Sequence, residues 1–316
     1  MSRFAHSLVA AVALLCLAAG VAAAQEAVPL AFKYAVGDVV VYEVTLSGSG
    51  GLRAPDGQLS PAGIQGSFRA SMTVTEVRPD GSARVQLRIP RVDLQVNVGQ
   101  DRGRFSFENG KVRWFSNGRE QSPPDADMSQ LPVLSVPLEF IIATNGRLLD
   151  VIVPQVPGVA KMQQMAPGLG APQMKDLGDS LFPDTPVKVG ETWRKTGQIT
   201  PLGPTMPVTV TNSRTLDAVT NDGGIQMARI SGYGESRFRS NPMNLSPGGG
   251  QGTQMTVAVP DLRLTATSTE FLNLGAGRLI RGDYDFSFLT RVSVGAGAQT
   301  QEGSIEARLH ATVQAR

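Results

Sequence analysis

A single cysteine and two histidines in 316 residues leave little reactive machinery, and export is expected to remove two of the three. Cys16 lies in the apolar run from Leu8 to Ala19, preceded by Arg3 and followed by Ala22, Ala23 and Ala24, small residues suited to signal-peptide cleavage. That run is too short to span a bilayer, and no later run is long and apolar enough. The sequence therefore predicts a signal peptide over 1–24, cleavage near Ala24, and a mature chain in the periplasm or outside the cell. Leu14 and Leu15 stand where a lipoprotein signal needs a small residue, so lipidation is not expected. The mature chain has no thiol, which excludes a cysteine nucleophile and a disulfide even in an oxidising compartment. His6 is lost as well, leaving His310 as the sole imidazole.

The remaining scarcities narrow the chemistry further. One histidine among scattered carboxylates is poor material for zinc, so no metal site is predicted. A Ser-His-Asp triad would have to use His310, which alternates with Leu309 and Ala311 on a strand and so faces solvent. Neither Gly-x-Ser-x-Gly nor Ser-x-x-Lys occurs. The glycine pairs at 168/170, 275/277 and 295/297 never extend to a dinucleotide fingerprint, and Gly248 to Gly252 lacks the Lys-Ser/Thr of a phosphate loop. Asp125 and Asp127 resemble half a calcium loop without its glycine, and Arg281-Gly282-Asp283 reads as a strand with a glycine kink. A formal charge of +2, reduced by one when Arg3 leaves, gives no reason to expect nucleic acid. No catalytic residue and no cofactor is predicted. A pair of facing carboxylates for hydrolysis leaves no spacing in sequence, and a carboxylate hydrolase is the least favoured alternative.

What the chain has in quantity is strand. Val39 to Leu46 is β-branched and aromatic, and Phe68, Ala70, Met72 and Val74 alternate with polar residues. Ala83, Val85, Leu87 and Ile89 are apolar at odd positions, whereas Val92, Leu94, Val96 and Val98 are apolar at even ones. A bulge at Pro90-Arg91 is needed to absorb that change of face. Asn109-Gly110 and Asn145-Gly146 are hairpin turns, and a bend is expected at Pro260-Asp261. The glycine- and serine-rich Ser47 to Gly63 reads as a loop. The fold class predicted is all-β and antiparallel, half-barrel or sandwich-like. A first β lobe occupies 25–155, a linker with short helices 156–186, and a second β lobe 187–316.

Two stretches suggest internal duplication. Val36-Gly37-Asp38 opens the first lobe and Val189-Gly190-Glu191 the second. Asp80-Gly81 and Gly146-Arg147-Leu148 follow the first; Asp222-Gly223 and Gly277-Arg278-Leu279 follow the second. The run from Phe182 to Trp193, with Val187-Lys188-Val189-Gly190-Glu191-Thr192-Trp193 at its end, resembles a class of uncharacterised secreted bacterial β-rich proteins. These form a domain of unknown function with a Pro-Val-x-Val-Gly-[Asp/Glu]-x-Trp entrance. The first copy departs from that pattern, with Val40 in the tryptophan's place. The resemblance implies secretion and a β-rich fold and brings no catalytic residues.

The candidate ligand-binding residues are Met162, Met165, Leu169 and Met174 in the linker, together with Trp193. Methionines adapt to irregular apolar partners, and a tryptophan offers either a core anchor or a stacking surface. The function expected is a non-catalytic envelope binding module whose partner is an apolar small molecule or another envelope protein. A structural protein of the cell surface is the alternative.

Overall fold

The structure is a computed structural model describing residues 26–53, 58–121, 136–152, 180–199, 208–238, 243–245, 255–296 and 299–316. Its third strand shows how the chain meets the conflict at Pro90. β1 (Val39–Arg53), β2 (Leu59–Val77) and β3 (Ala83–Val98) form an antiparallel meander. Arg69 pairs with Arg91 and Ser71 with Arg88, so β3 carries one extra residue there. The bulge keeps Leu87 and Val92 on one face although their numbers differ in parity. It also divides the strand's outer partners. The part after Pro90 pairs with β4 (Asp101–Glu108), which leads to β5 (Lys111–Ser116) and β6 (Arg119–Gln121). The part before it pairs with β7 (Leu138–Ile142), which leads to β8 (Leu148–Ile152).

The remaining strands are β9 (Thr192–Ile199), β10 (Val208–Asp222), β11 (Ile225–Phe238), β12 (Met243–Leu245), β13 (Met255–Asn273), β14 (Arg278–Ala296) and β15 (Gln299–Ala315). All fifteen strands belong to one antiparallel sheet; twelve follow the order β6-β5-β4-β3-β2-β1-β15-β14-β13-β11-β10-β9, while β7 and β8 branch from β3 and β12 from β13. The two halves of the sequence therefore share a sheet, joined where β15 lies between β1 and β14. The predicted linker helices fall largely on residues outside those described; the described part, 180–186, is not helical.

The two strand entrances are built alike. Gly37 and Gly190 both have positive φ, 87° and 85°, as the residue closing each turn requires. The Gly37 amide donates to the Val74 carbonyl and the Val74 amide to Asp38; the Gly190 amide donates to Leu216 and the Leu216 amide to Glu191. In each, the acidic side chain accepts from the amide three residues earlier, Ala35 or Lys188. An extra residue follows each paired core residue: Thr75 in β2 and Asp217 in β10. After Gly146-Arg147 and Gly277-Arg278, an extra residue again follows the leucine, Leu149 in β8 and Ile280 in β14.

Turn chemistry fixes the hairpins. Asn109-Gly110 and Asn117-Gly118 both place two residues at positive φ, the geometry whose twist matches paired strands. A further bulge, between Ala258 and Asp261, absorbs Pro260 as its sequence requires. One expectation fails. Ser47 to Gly63 is strand up to Arg53 and again from Leu59, not loop. Gly48, Gly50 and Gly51 stand where neighbours crowd the backbone: a Cβ on Gly48 would lie 2.8 Å from the Arg308 carbonyl and 3.0 Å from Ile64. They serve close packing across a curved ladder.

Candidate functional site

Register alignment carries one set of side chains to a single face across the whole sheet. The rung through Gly48 runs from Val96 and Ile64, through Gly48, to Leu309, Phe286, Ala266 and Gly234, ending at Asn212 and Lys195. The next runs through Gly50, Ala307, Phe288 and Leu264. Side chains on alternate residues share a face, so from Val96 to Gly234 these rungs build an apolar surface, which turns polar at Asn212 and Lys195.

At one end this inner face is covered. Leu216, Ala228, Ile230, Leu272 and Trp193 form a core with Leu30, Phe182 and Val187. The last three come from two crossing stretches, 26–35 and 180–189, that bridge each other at Val28 and Val187. The covers are tied to the two Gly-Arg-Leu hairpins: the Phe32 amide donates to Thr144, Phe182 to Asn145, and Lys33 to Gly277.

At the other end no described residue covers it. Ile64, Val96, Leu264, Phe286, Phe288 and Ile305 surround a groove of about 620 Å³, floored by Gly48, Gly50 and Ala307. That lies within the range of about 300–1,000 Å³ typical of small-molecule sites. Over the groove β2, β1, β15, β14 and β13 are each paired on both sides. Their amides and carbonyls are therefore engaged in the ladders, and the groove presents hydrocarbon.

A polar cluster separates the covered end from the groove. The Arg214 guanidinium bonds the Glu270 carboxylate, and both side chains are largely buried. Tyr284 hydrogen-bonds Glu270, and burial raises its hydroxyl's pKa above the usual phenol range. The Tyr284 ring stacks on Phe286 of the groove at 6.5 Å between centroids. The pair is buried as a neutral unit, which keeps its desolvation cost tolerable.

The opposite face of the same strands is polar. One rung there runs Gln65, Ser47, His310, Asp285, Thr267 and Tyr233. Arg69 pairs with Glu43 at 2.9 Å and Arg104 with Asp93 at 2.6 Å. His310 Nδ1 meets Asp285 at 2.8 Å, and Thr312 lies 3.2 Å from its Nε2. This set has the order of a triad, but the imidazole is 47% exposed and Asp285 68%. Both residues line an open depression of about 560 Å³ with Ser47, Thr267 and Arg308 and stay in contact with water, so the contact reads as a surface hydrogen bond. Among the described residues no group of three or more His, Cys, Asp or Glu could hold a metal, and no helix is long and apolar enough to cross a membrane.

No family model matches the chain. No curated protein matches it either. Among solved structures, the chain is similar to one titled "Lipid-protein interactions in lipovitellin", at 13% identity and a TM-score of 0.43, over 88% of this chain. The chain spans about a quarter of that lipovitellin chain, 25%. It is also similar to OccK5 (OpdH) of Pseudomonas aeruginosa, at 9% identity and a TM-score of 0.23, covering 88% of this chain and 98% of that one. The translocator domain of the autotransporter NalP from Neisseria meningitidis matches at 9% identity and a TM-score of 0.18, over 99% and 97%. What this chain does is read from its own residues.

Of the residues singled out in sequence, Met162, Met165, Leu169 and Met174 lie outside the described residues, as do Asp125 and Asp127. Trp193 is in the covered core, 9% exposed, its indole N–H donating to the Leu181 carbonyl at 3.1 Å, and it does not line the groove. The walls of the groove on β13 and β14 were visible only as strand, and its floor, Gly48 and Gly50, was expected to be loop. Their meeting depends on the pairing of β1 with β15, residues more than 250 positions apart, which no local pattern announces.

Proposed function

We propose that the protein is an exported, non-catalytic carrier or receptor for an apolar ligand of acyl-chain type, held along the open end of the apolar face. The supporting observation is the contrast between the two faces of the same strands: hydrocarbon and glycine on one side, ion pairs and hydroxyls on the other. An exposed apolar surface of this kind is disfavoured in water unless something occupies it. A hydrocarbon occupant fits better than a peptide. A peptide needs partners for its amides and carbonyls, and the groove offers almost none because its strands are already paired. A periplasmic or extracellular location follows from the signal-peptide reading of residues 1–24.

The test is direct. Protein purified without detergent is extracted with organic solvent and the extract analysed by mass spectrometry. In parallel, a bound fluorescent fatty-acid probe is titrated with palmitate. An enriched lipid together with stoichiometric displacement supports the reading; an extract without any enriched lipid, and a probe that palmitate fails to displace, refute it.

A further inference from the structure

The covered end is not fully filled. Beneath Phe32 and Tyr34, between the two entrances, lies a cavity of about 280 Å³ lined chiefly by Phe32, Val40, Met72, Val85, Ile142 and Leu279. None of its lining residues lines the groove. It exceeds the cavity of about 150 Å³ that stays dry and admits benzene. Two hydroxyls interrupt its hydrocarbon wall. Tyr34 Oη donates to the Ala143 carbonyl across a long 3.3 Å. Tyr42 lines the cavity and makes no hydrogen bond to another described residue. Burial raises the pKa of both phenols, so both remain protonated donors near neutral pH.

Three charged residues, Lys33, Asp38 and Arg278, also line the cavity, and each is engaged. Arg278 pairs with Asp38 at 2.5 Å, and its hydrogen bond holds the Asp38 carboxyl below the usual carboxylate range. The Lys33 ammonium donates to the Gly275 carbonyl at 3.1 Å. The interior therefore offers apolar contact and one free O–H donor.

We propose that this cavity is a second binding site, for a compact, uncharged, mostly apolar molecule with a single hydrogen-bond acceptor, of the aromatic aldehyde or ketone class. The ring fills the space between Met72, Val85 and Leu279, and the carbonyl oxygen accepts from the Tyr42 hydroxyl. The cavity has less than half the groove's volume, which favours a compact molecule over a long acyl chain. The site is independent of the groove reading.

The purified protein is titrated with benzaldehyde and, separately, with benzene, by calorimetry and thermal melting. Both raise Tm, and benzaldehyde binds about three- to tenfold more tightly, the increment of one hydrogen bond. Tyr42→Phe keeps the fold and benzene binding and removes that difference. Phe288→Asp, in the groove, leaves benzaldehyde binding unchanged, so the two sites fail or survive separately. The proposal is overturned if neither probe binds at millimolar concentration, if Tyr42→Phe leaves the benzaldehyde preference intact, or if Phe288→Asp abolishes benzaldehyde binding.

Discussion

Leu216 and Leu264 are both inner-face leucines on long antiparallel strands, yet one is wholly buried and the other borders an open groove. Nothing in their own strands accounts for the difference. It comes from what lies across the face: Leu30, Phe182, Val187 and Trp193 at one end, and no described residue at the other. The strands are longer than the cover over them. β13 and β14 run 19 residues each, and only the part near Leu272 meets the core. The same apolar pattern thus stabilises the covered end and lines an open groove at the other, where the proposed ligand would lie.

The largest effect should come from the covered end. Trp193→Ala is expected to cost about 3–5 kcal/mol in urea denaturation, because it removes a buried ring and leaves the Leu181 carbonyl without its donor. Leu216→Ala should cost about 2–5 kcal/mol, and Leu264→Ala under about 1 kcal/mol, since the groove side chain is only partly withdrawn from water. Equal losses for the two leucines would erase the distinction between the ends.

At the boundary, Glu270→Gln should cost about 3 kcal/mol, because Arg214 stays buried without its counter-charge. Replacing Arg214 and Glu270 together by methionine and leucine should cost much less, which separates loss of the pair from an unpaired charge. Within the open end, Gly48→Ala should cost about 1–3 kcal/mol, as the added carbon meets the Arg308 carbonyl. A neutral result there would mean that the ladder yields and that the groove floor is softer than its packing implies.

The smallest effect is expected from the polar face. Hydrogen bonds from Arg69 to Glu43 and from Arg104 to Asp93 lower those carboxyl pKa values below their unfolded ones. Their stabilisation is therefore complete above the unfolded pKa values of about 4 and is lost as pH falls through that range toward the folded values. The urea midpoint should be lower at pH 3 than at pH 6. Raising salt at pH 6 should shift it only slightly, as exposed pairs contribute little.

Much of the strand framework was legible because its signals are local. The change of parity around Pro90 demanded the bulge that β3 carries, Pro260 marked another, and Asn109-Gly110 specified its turn. Alternation alone put His310 on the polar face. Ser47 to Gly63 misled because glycine signals both a loop and a tight crossing of strands, and only the neighbour's position tells which. The groove and the Arg214–Glu270 pair were invisible for a different reason. They arise from register between strands far apart in the chain, 56 residues in the case of the ion pair, and no spacing rule encodes that.

Phe288 and Leu289 are sequence neighbours on opposite faces of β14, the first lining the groove and the second 48% exposed on the polar side. Displacement of a fluorescent fatty-acid probe by palmitate, measured for Phe288→Asp and Leu289→Asp, separates the faces with the same chemical change. Loss of probe binding in Phe288→Asp with near wild-type displacement in Leu289→Asp is the result predicted. Equal behaviour of the two variants, or a wild-type protein that never takes up the probe, would contradict a ligand held on the apolar face.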